Sequence, residues 1–224
     1  MNAVQFRNTN VRLSQALAST REALSGTRVS LSTLLGLVGE QGLLVFCAIL
    51  SMPFLLPVSV PFMSTVLGAP MLLVGFAVAL NRLPWLPRRV LDSELEVATV
   101  QQVLDRATRI AERFEHLLRP RLLALTASPA INAFNGLAIV AAVVILMAPL
   151  PLVPFANTLP AIGILLLSLG IAERDGVLLL GGYGVTLLSA LYVGSLMYLV
   201  IEAGSDPQAA LDALSGAVRR VLGH

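Results

Sequence analysis

Pro61-Phe62-Met63-Ser64-Thr65 and, later in the chain, Pro154-Phe155-Ala156-Asn157-Thr158 decide how this sequence reads. Each pentapeptide interrupts an apolar block without Asp, Glu, Lys or Arg, residues 41–81 for the first and 122–172 for the second. Pro53 and Pro57 lead into the first break, Pro149 and Pro151 into the second. Proline has no N–H to give a helix interior, so each block divides into two legs around a polar turn. A Pro- and Gly-bearing apolar helix follows each break, over residues 66–80 and 159–171, and the two halves therefore read as a duplication. The leg at 41–56 amounts to about 24 Å of helix and the leg at 136–149 to about 21 Å, against about 30 Å of hydrocarbon in a bilayer. Legs that short predict re-entrant hairpins. Residues 176–201, free of proline and charge, predict one full transmembrane helix, in which Gly181, Gly182 and Gly184 let a neighbour approach.

Composition points the same way. The 224 residues are 56% hydrophobic and only 12% charged, with a mean hydropathy of +0.83. One soluble core cannot hide that much apolar surface. The formal net charge of +2 gives no basic face for nucleic acid. The single cysteine, Cys47, lies within the first apolar block, and His116 and His224 have no partners at metal-ligand spacing, so neither a disulfide nor a metal or other cofactor is expected. No nucleophile–base arrangement stands out, and an enzyme is the weakest class. Every basic residue is arginine.

The expected fold class is an all-α integral membrane protein of two similar Pro-broken, re-entrant helical hairpins, at least one full transmembrane helix, and amphipathic surface helices. Six segments follow. Residues 1–33 form an N-terminal amphipathic cytoplasmic arm, with Leu17, Leu24 and Leu31 on a helix along the membrane surface. Residues 34–81 form the first broken-helix repeat. Residues 82–121 form an Arg-rich cytoplasmic segment whose helix, over 92–118, packs on the bilayer or on a partner helix. Residues 122–175 form the second repeat, 176–201 the transmembrane helix, and 202–224 an amphipathic tail. Parity puts that tail outside the cytoplasm, although Arg219 and Arg220 oppose the placement. Both breaks are entered from the same side, so one chain gives a parallel repeat. An inverted arrangement needs a dimer of opposed subunits, and a homo-oligomer is expected.

Several motifs carry a family likeness. Ser64-Thr65-Val66-Leu67-Gly68, Pro84-Trp85-Leu86-Pro87-Arg88-Arg89, Leu118-Arg119-Pro120-Arg121, Asn157-Thr158-Leu159-Pro160 and Glu173-Arg174-Asp175-Gly176 resemble, in order and spacing, the ExoD family of exopolysaccharide-synthesis proteins. The resemblance spans roughly residues 34–201. It implies a multi-pass protein of the bacterial inner membrane linked to exopolysaccharide production, and brings no catalytic residues with it.

Broken helices inside a bilayer survive only where protein or a water-filled cavity satisfies their backbone, and paired breaks point to a binding site. Ser64, Thr65, Asn157 and Thr158 open the second leg of each half. They either cap their own helices or, with the helix N-termini, hold an anion. Resemblance and geometry together suggest a phospholipid or polyprenyl-phosphate carrier, or a related glycan precursor, helped by Arg88, Arg89, Arg121 and Arg174 unless these simply snorkel to lipid headgroups. Asp175 either caps a turn with Gly176 or relays a proton. Two other classes remain open. One is a non-transporting assembly or regulatory factor for the polysaccharide-synthesis machinery, docking through residues 106–115. The other is a small channel or ion-coupled transporter.

Overall fold

Ser30 starts the first long helix by accepting a hydrogen bond from the Thr33 amide at 3.3 Å, and Ser128 starts another by accepting from the Ile131 amide at 3.3 Å with Pro129 in its first turn. These caps satisfy N–H groups that a helix start leaves open, and proline has none to lose there. The computed structural model describes residues 19–22, 24, 26–55, 63–81, 92, 94–115, 121–148, 155–202 and 216. Within them run β1 (Arg28–Ser30), α1 (Leu31–Ser51), a 3-10 turn (Met52–Leu55), α2 (Met63–Ala79), β2 (Glu94–Glu96), α3 (Val97–Glu115), a second 3-10 turn (Leu123–Thr126), α4 (Pro129–Leu146), α5 (Thr158–Ala172) and α6 (Gly176–Glu202). Gly39, at φ 62° and ψ −159°, breaks α1 near its start with a backbone that only glycine adopts cheaply.

α4 and α5 hold the centre of a helical bundle. α4 packs on α2, α5 and α6, and α5 packs on α1, α4 and α6. One ridge of α4 sets the first contact. Asn132, Gly136, Val140 and Met147 meet Asn81, the Val78–Ala79 backbone, Gly75 and Gly68 in turn, so α2 and α4 run antiparallel. Likewise Gly163, Leu167 and Gly170 of α5 meet Thr186, Gly182 and Leu179 of α6. Small residues bring the backbones close at each crossing, the usual device where apolar helices pack without a solvent-driven force between them.

α2 and α5 match residue for residue where they finish. One sequence interval separates Pro61 from Pro154, Ala79 from Ala172 and Asn81 from Arg174. The Leu80 amide donates to Phe76 O at 2.9 Å, and the Glu173 amide to Leu169 O at 2.9 Å. Asn81 and Arg174 then both take left-handed backbones, at φ 49° and φ 54°. The pairing extends into the core. Gly75 lies against Val140 where α2 meets α4, and Ser168 lies beside the Cys47 thiol where α5 meets α1, at the same interval.

Three expectations need correction. The first leg of the second half begins at Pro129 rather than Gly136, because Ser128-Pro129 is itself a helix start. The resulting 18-residue α4 is about 27 Å long. Pro129–Leu146 and Gly176–Tyr198 are long and apolar enough to cross a membrane, whereas Gly39–Leu55, Met63–Ala79 and Thr158–Ala172 are shorter. Second, the arm contains a strand. β1 pairs antiparallel with β2, Val29 opposite Leu95, and an Arg28–Glu94 ion pair of 2.9 Å spans the pair. Third, the opening half of α3 packs on this chain itself rather than on the bilayer. Val97, Val100 and Leu104 are buried with Leu24, Val29 and Val45, and Arg21 pairs with Asp105 at 2.6 Å. The expected tail helix and the loop carrying Arg88 and Arg89 lie outside the described residues.

Large apolar side chains remain on the bundle surface, among them Val66 at 68% exposure, Leu80 at 67% and Leu191 at 64%. Glycine at 136 is the tightest point in the packing. A Cβ there would run into the Ala79 backbone and stand 2.8 Å from the Val78 carbonyl carbon, whereas one at Gly184 would meet nothing within 4 Å. Gly136→Ala is expected to destabilise the detergent-solubilised protein by about 1–3 kcal/mol. Gly184→Ala is expected to shift stability by less than about 0.5 kcal/mol. Thermal unfolding of the two variants checks the contrast.

Candidate functional site

Helix direction fixes where the polar residues collect. α1 and α4 start, and α2 and α5 finish, at one end of the bundle, because Asn132 near the start of α4 reaches Asn81 just past α2, while Gln41 in α1 reaches Ala172 O at the end of α5. A seam of polar side chains closes this end. The Asn132 side-chain amide donates to Glu40 Oε1 at 2.9 Å and to Asn81 Oδ1 at 2.9 Å, and Asn81 Nδ2 donates to Pro129 O at 3.1 Å. Glu40 is half-buried, and that burial pushes its carboxyl above the usual carboxylate range, against the opposing Asn132 hydrogen bond and Arg174 charge. One turn further along α4, Asn135 is fully buried. Its Nδ2 donates to Leu125 O at 3.0 Å and its Oδ1 accepts from the Tyr183 hydroxyl.

Beside the seam, the corner between α5 and α6 is clamped to the segment before α4. The Gly176 amide donates to Arg121 O at 2.7 Å, and a Cβ on Gly176 would stand 2.6 Å from Leu122 Cβ. Asp175 is buried, and its Oδ1 accepts from the Val177 amide at 2.9 Å, which caps α6. A cleft of about 260 Å³ opens there, lined by Leu123, Thr126, Ala127 and Arg174. Leu122 and Leu123 are more than half exposed at its edge. A guanidinium next to exposed leucines suits a ligand that is anionic at one end and apolar at the other.

The sequence-derived residues fall into two groups. Arg121, Arg174 and Asp175 come together at this charged end. Ser64, Thr65, Asn157 and Thr158 lie at the opposite end, in the first turns of α2 and α5 or just before them. α5 alone puts about 24 Å between Thr158 and Arg174, so one phosphate cannot touch both groups. Asn157 occupies the cap position of α5 without a side-chain cap bond, and among the described residues no hydrogen bond forms to the other three side chains. The start of α2 abuts Met147 through Gly68, and Ala156 is buried with Ile145, Val193 and Leu196, so both adjoin the end of α4. Arg88 and Arg89 fall outside the described residues.

Glu40, Asn81, Asn132 and Asn135 escaped the sequence reading. Carrying the repeat register past the helix ends was the available signal, since it sets Asn81 opposite Arg174. Asn132 and Asn135, three apart on one helix, also share a face.

The fold and the charged end define an apolar helical-bundle protein with a cationic cleft at the end where α2 and α5 finish. The family model described as "Exopolysaccharide synthesis, ExoD" matches residues 13–195, and the chain belongs to the ExoD family. It is 43% identical over 202 residues to Protein ExoD of Rhizobium meliloti (strain 1021), covering 90% of this chain and 84% of that protein. It is 26% identical over 180 residues to an uncharacterized protein of Synechocystis sp., covering 80% of this chain and 84% of that one. No solved structure matches.

Removing Asn135 would take the partner from the half-buried Tyr183 hydroxyl and from the Leu125 carbonyl at once. Asn135→Ala is expected to lower stability by about 2–3 kcal/mol and Tyr183→Phe by about 1 kcal/mol. Denaturation of both variants in detergent checks the order, and equal losses would contradict it.

Proposed function

We propose that this chain is embedded in the bacterial inner membrane and serves exopolysaccharide synthesis by binding a lipid-linked phosphate, such as a polyprenyl-phosphate carrier or a glycan precursor on it, and moving it between leaflets. The cleft beside Arg174 carries this reading. It joins a cation to an apolar surface, and its volume suits a headgroup better than a whole drug-sized ligand. Membrane embedding is supported by the two span-length helices and by the leucines, valines and phenylalanines left on the bundle surface. In this scheme Arg174 and Arg121 receive the phosphate at the cytoplasmic side. Ser64-Thr65 and Asn157-Thr158, at the positive ends of α2 and α5, offer a second anion site across the bilayer. Membership in the ExoD family and the relationship to the Rhizobium protein support the link to exopolysaccharide.

A non-transporting role beside a polysaccharide synthase is the second reading. It is favoured by the polar residues Gln102 and Arg109, which α3 turns to its exposed face while its opening apolar residues are buried.

Native mass spectrometry of the purified protein with farnesyl phosphate and farnesol separates the readings. The phosphate is expected to be retained and the alcohol lost. Arg174→Ala is expected to weaken phosphate binding about 10- to 100-fold, the loss of a charge-assisted bond. Equal retention of the alcohol and the phosphate would overturn the headgroup site.

A further inference from the structure

Asn135 and Tyr183 are a polar pair that the proposed headgroup site leaves without a task. A fully buried amide and a phenol are costly in an apolar bundle, where an apolar pair would fill the same space without needing partners. Their bonds show what they hold. Asn135 Nδ2 donates to Leu125 O at 3.0 Å, and Leu125 belongs to the turn whose Leu123 and Thr126 line the cleft. Asn135 Oδ1 accepts from the Tyr183 hydroxyl, so one side chain ties the cleft wall to both α4 and α6. The Tyr183 ring then meets Phe134 edge to face, with centroids 5.5 Å apart and an interplanar angle of 62°. Phe134 itself is 59% exposed. An outward ring is thereby held in a set orientation just inside the cleft.

α4 and α6 both start at the charged end and run side by side. The ring pair lies about 8 to 10 Å along them, counted from Pro129 and Gly176. About 15 Å deeper, Ile145 of α4 packs on Val193 and Leu196 of α6. Between these contacts, the faces that carry the rings continue as alanines. Ala138 is half-buried, while Ala141 and Ala190 are exposed. A shallow furrow therefore leads inward from the turn that walls the cleft.

We infer that the furrow between α4 and α6 holds the single prenyl chain of the lipid phosphate, with Phe134 and Tyr183 selecting isoprene units over a saturated chain. The inference rests on the lipid-phosphate reading and names the tail that the cleft site takes. A phosphate at Arg174 sends its chain inward along the bundle, and the furrow begins at the same turn. An isoprene unit is flat around its double bond and lies broadly on an aromatic ring, whereas a straight saturated chain touches the ring along a line. The alanines beyond leave room for its methyl branches.

Titration of the full chain in detergent micelles with farnesyl phosphate and with dodecyl phosphate tests this, because the two share a headgroup and a chain length. The wild type is expected to bind farnesyl phosphate about 3- to 10-fold more tightly, the size of one aromatic contact. F134A is expected to lose that preference and keep its affinity for dodecyl phosphate. R174A is expected to weaken both ligands alike. A diazirine on the last isoprene unit of farnesyl phosphate is expected to label α4 and α6 of the wild type. Equal affinity of the wild type for the two phosphates, a preference that survives in F134A, or labelling confined to α1 and α2 would overturn the furrow while leaving the headgroup site standing. Failure of the wild type to bind either phosphate, or full binding by R174A, would overturn the lipid-phosphate reading itself. Should F134A fail to fold, the labelling decides alone.

Discussion

Asn132 donates both hydrogens of its side-chain amide across the line where the two hairpins meet, to Glu40 and to Asn81. In so apolar a bundle, polar side chains have few places to go, and a buried one without partners costs more than a met one returns. The chain meets this constraint by collecting Glu40, Gln41, Asn81, Asn132, Arg174 and Asp175 at one end, where helices begin and finish. Below Asn132, the same ridge of α4 passes Gly136, where the α2 backbone is in direct contact. The seam and the glycine crossing depend on each other. Asn132 reaches Asn81 because α2 lies that close, and just past α2 the left-handed backbone of Asn81 turns the chain aside.

Both halves of the chain supply this end. Asn81 and Arg174 occupy equivalent left-handed corners, yet one is an amide and the other a cation. The first corner completes the seam and the second adds charge to a cleft. The equivalent break residues lie at the opposite end, where α2 and α5 both adjoin the end of α4. Cations thus gather at one end of the bundle and two helix N-termini at the other.

Much of this was legible in the residues. The Pro-Phe segments stand just before α2 and α5, and the charge-free runs located those helices and α6. Arg121, Arg174 and Asp175 stood out because charge is scarce around them. Other features left weaker traces. The paired strands are only three residues each, too short for an alternating pattern to outweigh the helical leucines around them. α4 begins at Ser128-Pro129, a start signal within a segment that hydropathy alone merges with its surroundings. Glu40 and Asn132 meet only through the tertiary fold, 92 residues apart in sequence, so neither looks like half of a site by itself.

The proposed membrane placement stands or falls on α2 finishing and α4 starting at the same face. Single cysteines at Leu80, Leu123 and Phe155, in a background lacking Cys47, can be labelled with an impermeant maleimide in oriented vesicles of opposite sidedness. The account expects Leu80 and Leu123 to react from one side and Phe155 from the other. Labelling of Leu80 and Leu123 from opposite sides would contradict it.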